Sequence, residues 1–70
     1  MKNIFSLQLI KMFNYYCDVV VDYDNCKIIL ILLSFVCENF EDFFHYASMI
    51  NNQDKLEEII NRIVSEVGGI

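Results

Sequence analysis

Proline and tryptophan are absent from this 70-residue chain, glycine occurs only twice and histidine once. With so few of these residues the chain has no linker composition, no low-complexity tract and no glycine-rich phosphate loop. Neither G-x-S-x-G nor H-E-x-x-H occurs, so no recognised arrangement of nucleophile, base or metal ligands is written into the sequence. Cysteine is present three times, as Cys17, Cys26 and Cys37. An odd number at wide spacings is neither a disulfide framework nor a C-x-x-C pair, and it reads as free, buried thiols in a reducing cytoplasm. Basic residues are scarce: five against ten acids, for a net charge of -5 and a pI near 4.5. That balance argues against direct nucleic-acid binding, which needs cations to displace phosphate counterions, and against anionic membranes. A partner with a basic surface fits better.

Long hydrophobic runs are also lacking. The most apolar stretch, residues 28–37, is about half of what a membrane-spanning helix requires. The apolar segment after Met1 and Lys2 is broken by Gln8 and Lys11 without a small-residue cleavage site, so no secretory signal and no membrane are expected.

What the chain does have is apolar surface. Hydrophobic residues make up 56% of it and mean hydropathy is +0.37. A domain this small buries only about 60% of the surface exposed by its unfolded chain. The surplus predicts a homo-oligomer or a tight partner complex, because exposed apolar patches mark interfaces.

The patterning is helical. Over residues 3–23, Gln8, Lys11, Asn14, Asp18 and Asp22 recur every three or four positions, opposite Phe5, Leu9, Met12, Phe13, Tyr16, Val20 and Tyr23. Asp24 and Asn25 suit a turn. A second polar stripe, Lys27, Ser34, Glu38, Glu41, His45 and Ser48, predicts one widely apolar helix reaching residue 50. The third segment opens at Asn51 and Asn52, has Asp54 and Glu57 at capping-box spacing, and carries a stripe of Leu56, Ile59, Ile60, Ile63, Val64 and Val67. Gly68 and Gly69 would end it.

These signs predict a single all-α domain over residues 1–70, a three-helix arrangement with a long helical hairpin followed by an amphipathic C-terminal helix. It would dimerise through the second helix, with Ile29, Leu33, Val36 and Phe40 as the self-association seam. The alternative is an α+β fold with a central β-hairpin at residues 17–33, where apolar and acidic residues alternate from Cys17 to Asp24.

No catalytic, cofactor-binding or metal residue is assigned. Glu41, Asp42 and His45 are at helical spacings that can hold a metal, yet a single histidine could complete such a site only in a symmetric dimer. Cys37 would lie about two helical turns from His45, too far for a nucleophile and its base. The acids Asp18, Asp22, Glu38, Glu41 and Asp42, together with Tyr15, which leaves its helix's main stripe, are the expected partner contacts. The function expected is therefore a small, acidic, non-enzymatic module that binds and modulates, or inhibits, a partner protein stoichiometrically. Anti-defence and immunity proteins of phages and mobile elements have this general build, which is an analogy of composition alone. A self-assembling structural or regulatory subunit and a metal-binding helical bundle are the alternatives.

Overall fold

A computed structural model describes residues 4–68 as helices joined by short links, with no strand among them. The chain is all-α, and the β-hairpin alternative at residues 17–33 has no counterpart. Four α-helices occur among the described residues: α1 (Ile4–Tyr15), α2 (Tyr23–Val36), α3 (Phe40–Ala47) and α4 (Gln53–Gly68). A π turn, Tyr16–Val20, extends α1.

The first corner comes earlier than the Asp24-Asn25 doublet predicts. The Tyr16 carbonyl accepts from the amides of both Val21 and Asp22, ending the π turn. Val21 takes a left-handed conformation, with φ 59° and ψ 53°, a place usually held by glycine or asparagine. Asp22 then caps α2, its Oδ1 accepting from the Asn25 amide at 3.2 Å and its Oδ2 from Asn25 Nδ2 at 2.9 Å. Asp24 and Asn25 are thus in the first turn of α2 rather than between helices.

The single helix expected to run to residue 50 is two. Cys37 is extended, and Asn39 restarts the helix by accepting the Asp42 amide on Oδ1 at 2.9 Å. A side chain offering a good acceptor at an extended residue competes with continuing the helix. The predicted polar stripe is therefore cut between Ser34 and Glu41.

Two side chains organise the approach to α4. Gln53 Nε2 donates to the carbonyls of Ala47 and Ile50 at 2.9 and 2.8 Å, covering the exposed end of α3. Asn52 caps α4 by accepting the Lys55 amide at 3.0 Å, so the cap lies two residues before the Asp54 of the predicted capping box. Gly68 is still helical, and Gly69 lies outside the described residues.

One core gathers all four helices. Ile10 and Phe13 of α1 meet Cys26, Ile29, Leu30 and Leu33 of α2, with Cys17 at the corner. Tyr46 and Ala47 of α3, then Ile50, Leu56 and Ile59, complete it. No described helix is long and apolar enough to cross a membrane.

Candidate protein-docking surface

Twelve apolar residues are buried, whereas sixteen large ones are exposed among the described residues. The surplus foreseen from composition is therefore on the surface of the single chain, and its distribution matters. On α2 the buried line is Ile29 and Leu33, at 4% and 1% exposure, because α1 and α4 cover that side. Both residues serve the chain's own core, so the expected seam of Ile29, Leu33, Val36 and Phe40 is not a surface. Val36 is half-buried, and Phe40, beyond the break, is the one open member of the four. The outward stripe of α2 is instead Ile28, Leu32 and Phe35, shifted by one residue and so by about 100° around the helix.

The most apolar concavity lies between α2, α3 and α4 and has a volume of about 260 Å³. Leu30 and Ile31 form its α2 wall, Phe40, Phe43 and Phe44 its α3 wall, and Ile60, Ile63 and Val64 its α4 wall; Ser34 is the sole hydroxyl. Its sequence origin is plain. On α3 the buried Tyr46 and Ala47 turn inward, which places Phe40 and Phe44, one turn apart, outside them. Their rings stack with centroids 6.2 Å apart, and Phe43 meets Phe44 edge-on at 6.0 Å. Phe40 is 80% and Phe44 65% exposed, so two stacked rings stand in water at the lip. The helix break creates this groove; a continuous α2 would carry Phe40 away from α4.

Acids border it. Glu41 follows Phe40 and precedes Phe44 by three residues, while Glu57 precedes Ile60 by three and Val64 by seven, spacings that put each on the flank of an apolar wall. Both are exposed.

The residues expected to contact a partner fall in two groups at opposite ends of α2, which at 14 residues is about 20 Å long. Tyr15, Asp18 and Asp22 are near the first corner, Glu38, Glu41 and Asp42 near the break. Tyr15 is exposed and packs edge-on against Tyr16 at 5.4 Å. Asp18, Glu38 and Glu41 are exposed as well. Asp22, by contrast, uses both carboxylate oxygens on Asn25, and Asp42 is half-buried behind Asn39. The sequence reading missed Phe44 and Val64 as site residues; the signal available was Phe40-x-x-x-Phe44 on a segment whose opposite side is needed for the core.

A second, more polar cleft of about 540 Å³ contains Cys37, Glu38, Asn39, Asp42 and His45 beside Ser6 and Tyr46. The break brings Cys37 and His45 to one cleft, against expectation. Burial nonetheless pushes the Cys37 thiol up, the reverse of what an activated nucleophile needs. Among the described residues no three His, Cys, Asp or Glu side chains converge to hold a metal ion. The Glu38, Glu41, Asp42 and His45 set is thus not assembled as a ligand cluster. No family model matches this chain, and no match to it occurs among the curated proteins or the solved structures.

Proposed function

We propose that this chain is a non-enzymatic interaction module that binds and modulates a partner protein through the groove between α2, α3 and α4. The observation that carries the reading is the exposed, stacked pair of Phe40 and Phe44 at the lip of a concavity walled almost entirely by apolar side chains. Aromatic residues offer large contact area at small conformational cost, and such grooves take the apolar face of an amphipathic helix. Glu41 and Glu57 on the flanks and a net charge of -5 favour a ligand helix edged by Lys and Arg.

The test is a titration of the isotope-labelled chain with a Leu-faced, Lys-edged helical peptide and with its Glu-edged counterpart. Amide shifts should concentrate on α3 and on Ile60 to Val64, favour the Lys-edged peptide, and vanish in Phe44→Asp while circular dichroism stays unchanged. Shifts scattered over every exposed apolar residue would refute a specific groove.

A second reading, self-assembly, is favoured by a separate observation. Ile28, Leu32 and Phe35 form an exposed stripe at i, i+4 and i+7 on α2, outside the groove. Light-scattering mass at two concentrations, at low and high salt, separates the two. A salt-resistant dimer broken by Phe35→Asp supports self-assembly; a monomer at both concentrations leaves the groove reading alone.

A further inference from the structure

The corner between α1 and α2 joins three uncommon features: a π turn, a valine in the left-handed region and two buried thiols in contact. Cys17 lies on the π turn and Cys26 in the first turns of α2, and their sulfurs are 3.0 Å apart. The Cys26 thiol also reaches the Phe13 carbonyl, 4.0 Å away, which makes Cys17 the donor between the two sulfurs. Neither is a lone, inert core cysteine. We infer that Cys17 and Cys26 are an oxidation site that hydrogen peroxide converts to an intramolecular disulfide across the corner, and that a thiol reductant reopens.

Geometry favours this pairing over others. A disulfide is about 2 Å long, so closure asks for roughly 1 Å of side-chain movement, which the two-residue link between the π turn and α2 can supply. Cys37 is eleven residues beyond Cys26 on or just past the same helix, about 16 Å along its axis, and is no competitor. A cavity of about 50 Å³ touches both sulfurs and is lined also by Val21, Asp22, Tyr23 and Lys55. One water needs on the order of 10–15 Å³, so the space admits a peroxide but not a bulky disulfide oxidant. The Lys55 ammonium in that lining favours the thiolate of either cysteine, while burial opposes it more strongly. Closure is accordingly slow at neutral pH and accelerates as the solution becomes alkaline.

The chemistry balances. One thiolate sulfur attacks a peroxide oxygen; the S–O bond forms, the O–O bond breaks, and the departing hydroxide takes up a proton to leave as water, giving a sulfenic acid. The second sulfur then attacks the sulfenic sulfur; the S–S bond forms, the S–O bond breaks, and a second water leaves. Two thiols lose two electrons, which the peroxide accepts.

The experiment treats the full chain with hydrogen peroxide and digests it before aspartate, which separates the two cysteines at Asp18, Asp22 and Asp24. The expected product has fragments carrying Cys17 and Cys26 joined until reductant is added, Cys37 free to alkylation, and a melting midpoint raised on the order of 10 °C. Cys37→Ser, holding only the pair, should close at the wild-type rate; Cys17→Ser should leave Cys26 alkylatable. If Cys17→Ser does not fold, the Cys37→Ser chain decides alone. Three thiols surviving peroxide, a Cys37-linked dimer, or sulfinic acid in place of the cross-link would overturn the assignment.

Discussion

The guanidinium of Arg62 stands 4.5 Å from the centre of the Tyr23 ring, so the third turn of α4 rests on the residue that opens α2. Lys27 approaches the same ring at 5.7 Å and pairs with Glu66 Oε1 at 3.3 Å. These contacts extend the apolar seam of Leu56 and Ile59 toward the end of α4. A cation over a ring at a solvent-facing site contributes about 0.5–1 kcal/mol. Arg62→Ala should therefore lower the melting midpoint by several degrees, with Arg62→Lys keeping part of the loss. Lys27→Ala, which breaks an exposed pair, should cost less. Urea titrations giving Lys27→Ala the larger effect would reverse the assigned roles.

Val21 invites a substitution that stabilises. A β-branched residue in the left-handed region costs on the order of 1–2 kcal/mol, and this side chain is exposed, so little packing is at stake. Val21→Asn should raise stability by about 1 kcal/mol, since asparagine tolerates that conformation. A loss of stability in thermal melts would show that the corner is not in this conformation.

The phase of α2 is testable with neighbours of identical composition. Leu33 is fully buried and Leu32 is half open. Leu33→Ala should cost about 2–5 kcal/mol, a large share of the roughly 3.5–10 kcal/mol expected for 70 residues. Leu32→Ala should cost less than about 1 kcal/mol at low concentration. Equal losses would mean the helix is rotated from the orientation described.

Alkaline solution should destabilise the chain through Cys17. Burial, then the hydrogen bond to Cys26, pushes this thiol from the ordinary value of 9.0 up to about 12. A group whose folded pKa lies above its unfolded value contributes stability that is complete below pH 9 and lost as pH rises toward 12. Chemical denaturation between those limits should show falling stability, and the fall should flatten in Cys17→Ala. A pH-independent midpoint across that window would show that the thiol is open to solvent.

Much of the helical content was legible because apolar residues recur at helical spacing over most of the chain, and because Asn52 and the stripe from Leu56 to Ile63 agree on α4. The interruptions were not. Asp22 with Asn25, and Asn39 with Asp42, are acceptor-and-amide pairs three residues apart, the spacing of a helix start, but each lies within a run whose polar stripe continues smoothly. A stripe measures average phase, whereas a cap acts at one residue. The one-residue error on α2 followed: the helix begins at Tyr23 and ends at Val36, and its neighbours, absent from any single-helix reading, decide that Ile29 rather than Ile28 is covered. The groove residues Phe44 and Val64 were hidden for the same reason, since a residue on an apolar stripe is assigned to the core until the core is known to be full.

The π turn has a meaning in the language of insertion and deletion. A helix that closes its bonds over five residues instead of four contains one residue more than its path requires. Removing a single position between Tyr16 and Val20 would return the segment to ordinary α winding and turn everything beyond it by about 100° relative to α1. Cys17, upstream, would stay where it is, while Asp22 would no longer present its carboxylate to Asn25 and Cys26 would swing away from its sulfur neighbour. The chain thus tolerates changes of residue type at this corner far better than a change of length, although the side chains there, Val19, Val20 and Val21, are among the most exposed it has.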